Sequence, residues 1–168
     1  MNFLKILANK FSIKFNFKEF IIVFFTIFFL FASDRFTKIS AIKNLSNVNN
    51  IYINDYLNLN LNFNTGIGFG LFSLESGTGY HLISFLIFLV LIYLFYLVLN
   101  SNFLDRVLFS MILGGATGNF YDRIIYFSVP DFIDVHSKDF HWFTFNLADI
   151  FISLGIITLL FREMFLKK

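Results

Sequence analysis

The chain has 168 residues, of which 57% are hydrophobic and 14% are charged, whereas about 25% of an ordinary soluble domain is charged. This composition excludes a typical water-soluble globule, because a domain of this size has too little interior for so much apolar surface. The net charge of +2 gives no general attraction for nucleic acid, and the absence of Cys excludes disulfides, thiolate metal sites and a Cys nucleophile.

Four apolar segments are candidates for membrane-spanning helices, because a bilayer core about 30 Å thick requires about 20 apolar helical residues. They lie at approximately 20–34, 81–99, 107–121 and 146–162. The first two are uniformly apolar, whereas the third and fourth carry polar residues at one end. The sequence therefore predicts a mainly α membrane protein with four transmembrane helices, organised as a single domain over 1–168.

The charges predict how these helices are oriented. Basic residues concentrate in the tail 1–18, at Arg106 between the second and third spans, and at the C-terminus. Most carboxylates fall at or beyond the opposite ends of the spans. The positive-inside rule then places both termini in the cytoplasm. Since no small-x-small cleavage site follows the first span, we expect this span to be retained in the mature protein.

A different pattern lies between the first two spans. The segment YLNLNLNFN alternates Leu or Phe with Asn from Leu57 to Asn64, and a period of two is typical of a half-buried β-strand. We therefore predict a small extracytoplasmic β element between helices 1 and 2, which lies on the membrane surface and does not cross it.

Polar residues near the outer ends of the spans are candidates for function, because an ionisable side chain in a membrane helix costs a few kcal/mol. Asp34 and Lys38 are four residues apart at the end of the first span. Their spacing is compatible both with a surface-level ion pair that fixes the helix end and with a direct role in chemistry.

The third span ends in the motif GGATGNFYDR. Gly114 and Gly118 form a small-xxx-small face that allows another helix to approach closely. Asn119 and Arg123 share one helix face, where they can hydrogen-bond across the bundle and pair with a carboxylate of a neighbouring segment. Taken alone, this motif favours a structural role.

Two further aspartates lie near the outer ends of consecutive segments. Pro130 disfavours helix for the residue before it, so Asp131 is predicted on an irregular or extended piece. Asn146 and Asp149 have the spacing of a helix cap and an acidic first turn, which alone would account for Asp149. However, the short connection also lets Asp131 and Asp149 converge, and two partly desolvated carboxylates tend to share one proton. The pair therefore indicates acid–base chemistry.

Other chemistries find less support in the sequence. His136 and His141 lack the HExxH spacing, so we predict no metal site, and no serine stands in a nucleophile motif. Two alternatives to an enzyme are a small ion- or proton-coupled transporter and a noncatalytic membrane assembly protein. The carboxylates gather at one face without visible internal symmetry, which disfavours the transporter, and the assembly protein leaves the paired carboxylates unexplained.

Taken together, the motifs resemble the lipoprotein signal peptidase family, also called signal peptidase II, over nearly the whole chain. Five segments carry the resemblance in the family's order: SDRFTK, NTGIGFGLF, GGATGNFYDR, VPDFID and FNLAD. The chain departs from the family at Pro130, where valine is usual, and at Ile67-Gly68, where a small pair is usual. The resemblance implies an intramembrane aspartyl endopeptidase without a cofactor, which cuts diacylglyceryl-modified bacterial prolipoproteins on the N-terminal side of the lipidated cysteine.

Matching the motifs by position implies that Asp131 and Asp149 are the catalytic dyad that activates water. The residues implied to shape and support the site are Asp34, Asn64, Gly115, Asn119, Asp122, Arg123, Phe145, Asn146 and Ala148. The implied partners are the prolipoprotein and membrane lipid, and we expect a monomer in the bacterial cytoplasmic (inner) membrane with its site near the extracytoplasmic face. The external sheet and a loop between Asp131 and Phe145 are expected to cover the site.

Overall fold

The computed structural model describes residues 16–48, 50–66, 78–138 and 140–166. This part of the chain folds into helices α1 (Phe17–Leu45), α2 (Thr78–Asn100), α3 (Phe103–Ile125) and α4 (Leu147–Phe165), with strands β1 (Ile51–Asn54), β2 (Leu57–Asn64), β3 (Val129–Ser137) and β4 (Phe140–Phe145). Most of the predicted basic tail and the departure at Ile67-Gly68 lie outside the described residues.

Three helices begin in the same way, after an Asn that stands three residues before an acidic residue. In each case the Asn side-chain oxygen accepts a hydrogen bond from the backbone N–H of the acidic residue, at 2.9–3.1 Å. This bond satisfies an N–H group that would otherwise lack a helical partner. The three pairs are Asn16 and Glu19, Asn102 and Asp105, and Asn146 and Asp149.

Two of the described helices, over Phe17–Leu45 and Gly79–Asn100, are long and apolar enough to cross a membrane. The first helix continues to Leu45, well beyond the predicted end near residue 34. Its second half is polar along one side, and its apolar residues Ala41 and Leu45 are buried with Phe132 of β3. Packing against the sheet therefore extends a helix that hydropathy alone would end earlier.

The strands form one antiparallel sheet in the order β1-β2-β3-β4. The predicted strand at 57–64 is confirmed as β2, and Asp131 lies on an extended segment as predicted. The predicted β element between helices 1 and 2 is present as β1 and β2, and the sheet is larger than predicted because β3 and β4 follow α3. One expectation was wrong. The stretch from Asp131 to Phe145 is accordingly a hairpin and not a loop, since its strands complete the sheet begun by β2.

Helix α3 packs against each of the other three helices, and its glycines leave no room for a side chain where α1 and α4 lie against it. A Cβ atom on Gly114 would lie 3.2 Å from the backbone of α1, and one on Gly118 would lie 2.5 Å from an oxygen of Asp34 on the same helix. The predicted close-packing face of Gly114 and Gly118 is therefore present and faces α1. Gly115 faces α4, where a Cβ atom would lie 2.7 Å from the Ala148 carbonyl oxygen. These glycines bring the polar end of α3 against both α1 and the first turn of α4.

Candidate active site

The two aspartates of the predicted dyad are held by one residue, Asn146, which lies between β4 and α4. Its side-chain Nδ2 donates to Oδ1 of Asp131 at 2.6 Å. Its Oδ1 accepts from the backbone N–H of Asp149 at 3.1 Å, and its own backbone N–H donates to Oδ2 of Asp149 at 3.1 Å. The helix cap predicted from the sequence thus also joins the start of α4 to β3.

Two other asparagines complete the contacts of these carboxylates. Asn64 donates from Nδ2 to Oδ2 of Asp131 at 2.9 Å, and its Oδ1 accepts from the backbone N–H of Gly66 at 2.8 Å. Asn119 donates from Nδ2 to Oδ1 of Asp149 at 2.8 Å, and its Oδ1 accepts from Lys38 Nζ at 2.7 Å.

The orientation of all three amides is fixed by chemistry. In each of them the amide oxygen faces a group that can only donate, which is a backbone N–H or an ammonium. The amide NH₂ must therefore face the aspartate. Each oxygen of Asp131 and of Asp149 consequently accepts at least one hydrogen bond from a donor whose direction is set by the fold.

Beside the dyad lies a buried ion network of Asp34, Arg35, Lys38 and Asp122. Lys38 is fully buried, and its Nζ lies 2.8 Å from an oxygen of Asp34 and 2.8 Å from an oxygen of Asp122. Arg35 forms a second ion pair with Asp122. The alternative of a surface-level pair between Asp34 and Lys38 was therefore wrong, because packing of α3 against α1 removes both side chains from water.

Lys38, like Arg35, belongs to this network but is absent from the residues implied to form the site. Its signal in the sequence was the i, i+4 spacing from Asp34 within SDRFTK, but that spacing does not indicate what the other side of the ammonium contacts. In the structure Lys38 contacts Asn119, which in turn contacts Asp149. Asp34 reaches the same turn of α4 by accepting from the backbone N–H of Ala148 at 3.0 Å.

The remaining predicted residues lie around this centre. Arg123, for which a carboxylate partner was considered, donates instead to the carbonyl oxygen of Gly66, and its own carbonyl accepts from the Tyr80 hydroxyl at 3.0 Å. Gly115 allows the close contact with Ala148, which is fully buried. Phe145 lines a groove beside Asp149. All of the predicted site residues are thus in or next to one cluster.

Asp131 is the member of the pair that lies outside the helices, on β3, and it is 2% exposed. Burial and, to a smaller degree, the charge of Asp149 raise the pKa of Asp131 to about 6, against the hydrogen bonds from Asn64 and Asn146. This carboxyl group can therefore gain or lose a proton near neutral pH. Such a value suits a group that works as an acid in one step and as a base in another.

The two histidines considered from the sequence lie on the sheet. His141 Nδ1 is 2.7 Å from an oxygen of Asp134, and the rings of His136 and His141 stack with centroids 5.4 Å apart. Across the ranges that the structure describes, no group of three or more His, Cys, Asp or Glu is arranged to hold a metal ion. The four carboxylate oxygens of Asp131 and Asp149 are instead each matched with an amide or backbone N–H donor.

Comparison with known proteins agrees with this cluster. Residues 25–165 match the family described as signal peptidase (SPase) II. The chain belongs to the signal peptidase II family. It is 46% identical, over 92% of its length and 95% of the relative, to a lipoprotein signal peptidase of Pelagibacter ubique (strain HTCC1062). Another lipoprotein signal peptidase, from Thermodesulfovibrio yellowstonii, is 36% identical over 83% of this chain and 92% of its own length.

Solved structures also match the fold of the chain. Two structures, each described as a bacterial membrane enzyme, match the chain with TM-scores of 0.64 and 0.69. They are 28% and 25% identical, cover 90% and 89% of this chain, and are themselves covered to 92% and 94%. The family resemblance predicted from the motifs is confirmed, and the chain is a peptidase of the aspartic type, a hydrolase that acts on peptide bonds. The transporter and assembly alternatives are not supported.

Proposed function

We propose that this signal peptidase II removes the signal peptide from bacterial prolipoproteins, cutting on the N-terminal side of a diacylglyceryl-modified cysteine, with Asp131 and Asp149 as the catalytic dyad. The observation that carries the proposal is the position of Asn146, which binds both carboxylates at once. The relatives named lipoprotein signal peptidase supply the substrate class.

In the proposed reaction the dyad shares one proton. The ionised aspartate removes a proton from water, and the water oxygen attacks the scissile carbonyl carbon. The protonated aspartate donates a hydrogen bond to the developing oxyanion, and its proton is available to the leaving amine when the C–N bond breaks. No covalent acyl-enzyme forms. General acid–base catalysis of this kind contributes about 10²- to 10⁴-fold to the rate.

Support for the assigned roles comes from the contacts of the dyad. Asn64, Asn119 and Asn146 hold the four carboxylate oxygens in place, so the aspartates need little rearrangement during the reaction. The other members are proposed to fix the first turn of α4 or to shape the site around it; they are Asp34, Gly115, Asp122, Arg123, Phe145 and Ala148.

We further propose that all four helices span the bacterial inner membrane as a single domain over 1–168, with both termini in the cytoplasm and the sheet on the outer surface. Ion pairs join Glu19 to Arg106 and Asp105 to Arg162, at the end of the bundle away from the dyad. Eight of the thirteen Lys and Arg residues of the chain lie in 1–18, at Arg106 or in 162–168. The positive-inside rule therefore assigns the end of the bundle that carries Arg106 and Arg162 to the cytoplasm. The proposed protein is a monomer that contacts membrane lipid and the prolipoprotein.

The test is a gel-shift assay on a diacylglyceryl-modified preprotein in liposomes, with the unmodified preprotein alongside. We expect wild type to cleave only the lipidated form, and Asp131→Asn and Asp149→Asn each to lose about 10²- to 10⁴-fold in rate while remaining folded. Asp55→Asn, which changes an exposed aspartate in the turn between β1 and β2, is the matched control and should retain full activity. Near-wild-type turnover by either dyad variant would overturn the aspartyl assignment.

A further inference from the structure

Two cavities of opposite character adjoin the dyad. A cavity of about 380 Å³ opens beside Asp131, between the outer parts of β2, β3 and β4. A groove of about 270 Å³ opens beside Asp149, where Phe143 and Phe145 face Ile150 and Leu154. The substrate chain must pass both openings if its scissile bond lies between the two aspartates.

The cavity beside Asp131 is polar and acidic. Its polar lining residues are Asn62, Asn64, Thr65, Asp131, Asp134, His141 and Thr144. Asp134 is 4% exposed, and neither Lys nor Arg is among the described residues that line the cavity. A carboxylate that is largely removed from water acts on a neighbouring charge more strongly than an exposed one. The cavity therefore favours a cation or a hydrogen-bond donor and disfavours a second carboxylate.

A prolipoprotein has parts of two kinds on either side of its cleavage point. The signal peptide and the acyl chains are apolar, and an apolar group placed in the polar cavity would displace water from Asp131 and Asp134 without replacing its hydrogen bonds. The polypeptide that follows the lipidated cysteine belongs to the mature protein, and its amide groups and polar side chains can make such bonds.

We propose that the cavity beside Asp131 binds the first residues after the lipidated cysteine, and that Asp134 is a specificity-determining residue that selects against acidic side chains there. This proposal rests on the function proposed above and adds the direction in which the substrate chain is bound. The mature side of the substrate leaves the dyad over the face of the sheet formed by β2, β3 and β4. His141 contacts Asp134 at 2.7 Å and is the one basic side chain among the described lining residues.

The experiment uses three lipidated peptides that differ only in the two residues after the modified cysteine, which are Lys, Gln or Glu. The measured quantity is the ratio of kcat/KM between the Lys and Glu peptides at one pH. We expect wild type to prefer the Lys peptide by about tenfold or more. In Asp134→Asn the ratio should fall close to one. Because the ratio is taken within one enzyme, any general loss of activity cancels.

Two further variants serve as a control and as a second test of the cavity. Asp55→Asn removes an exposed carboxylate from the same sheet and should keep the wild-type ratio. Thr144 is paired with Asp134 in the β3–β4 ladder and lines the same cavity, so Thr144→Lys adds a cation opposite the carboxylate and should also abolish the preference. This second variant decides the matter if Asp134→Asn does not fold.

The possible outcomes separate the two proposals. Equal cleavage of the Lys and Glu peptides by wild type, or an unchanged ratio in Asp134→Asn and Thr144→Lys, would overturn the cavity assignment while leaving the proposed function intact. If wild type cleaves none of the three lipidated peptides, the proposed function itself fails and the cavity assignment fails with it.

Discussion

The molecule contains two groups of buried aspartates, and they are stabilised in different ways. Asp34 and Asp122, in the ion network, are fully buried and each forms an ion pair with Lys38 at 2.8 Å. Asp131 and Asp149 are instead bonded by neutral amides and a backbone N–H. Within the described ranges, neither has a Lys or Arg within ion-pair distance.

This difference separates carboxylates that hold the fold from carboxylates suited to react. A buried carboxylate in direct contact with a cation has its charge compensated by that cation. Asp131 is held by amides without such a cation, and burial raises its pKa to about 6, so its proton can exchange near neutral pH. The ion network and the dyad are therefore complementary, and Asn119, which contacts both Lys38 and Asp149, connects them.

The largest effect is expected at Lys38, which compensates both carboxylates of the ion network. Lys38→Met removes the cation from between two fully buried carboxylates, and breaking a buried pair in this way costs about 3–5 kcal/mol. We expect a matching loss in the free energy of unfolding, measured by denaturant titration in detergent micelles. The control is Lys43→Met on the same helix, where the side chain is exposed and the expected change is within about 0.5 kcal/mol. Equal stability of the two variants would remove the structural role assigned to the ion network.

The parts of this arrangement that follow from local patterns could be predicted from the sequence. The capping pattern of Asn146 and Asp149 needs only residues three apart, and Pro130 by itself favours extended backbone at the next position. The alternation in 57–64 likewise indicates β2 without any knowledge of its partners. The convergence of Asp131 and Asp149 was predicted from their positions at the outer ends of consecutive segments that a short connection joins.

What could not be predicted depends on contacts between distant segments. The burial of Lys38 requires α3 to pack on α1, and the continuation of α1 to Leu45 requires the sheet beneath it. The hairpin of β3 and β4 contains aromatic and polar residues without a clean alternation, and its strands are specified by pairing with β2. Asp134 was not identified as a site residue because its cavity exists only once the three strands are assembled.

A substitution at Gly115 should affect the dyad and not the ion network, because Gly115 contacts the backbone of the turn that carries Asp149. A Cβ atom there would lie 2.7 Å from the Ala148 carbonyl oxygen, so Gly115→Ala must displace the first turn of α4, which carries Asp149. A displacement near 1 Å in an active site can cost about 10²-fold, and we expect kcat to fall by about tenfold to 10²-fold, or about 1–3 kcal/mol.

The control for Gly115→Ala is Gly155→Ala. Gly155 lies on α4 at the same α3–α4 interface, but beyond the first turn that carries Asp149. The added methyl group there meets a side-chain atom of Ile112 at 2.6 Å, so it should lower stability without changing kcat. If both variants lose activity in proportion to their loss of stability, the effect of Gly115 is general destabilisation and not displacement of Asp149.

The smallest effect concerns pH and follows from the pKa of Asp131. Because the folded protein holds this proton more tightly, with a pKa of about 6 against an unfolded value near 3.9, ionisation costs the folded state stability as the pH rises through this range. Between pH 5 and pH 7 the cost amounts to about 1 kcal/mol. Wild type should therefore lose about 1 kcal/mol more free energy of unfolding over this interval than Asp131→Asn does. Parallel pH profiles for the two proteins would mean that Asp131 is not poised near neutral pH, and the contrast between dyad and ion network would lose its electrostatic basis.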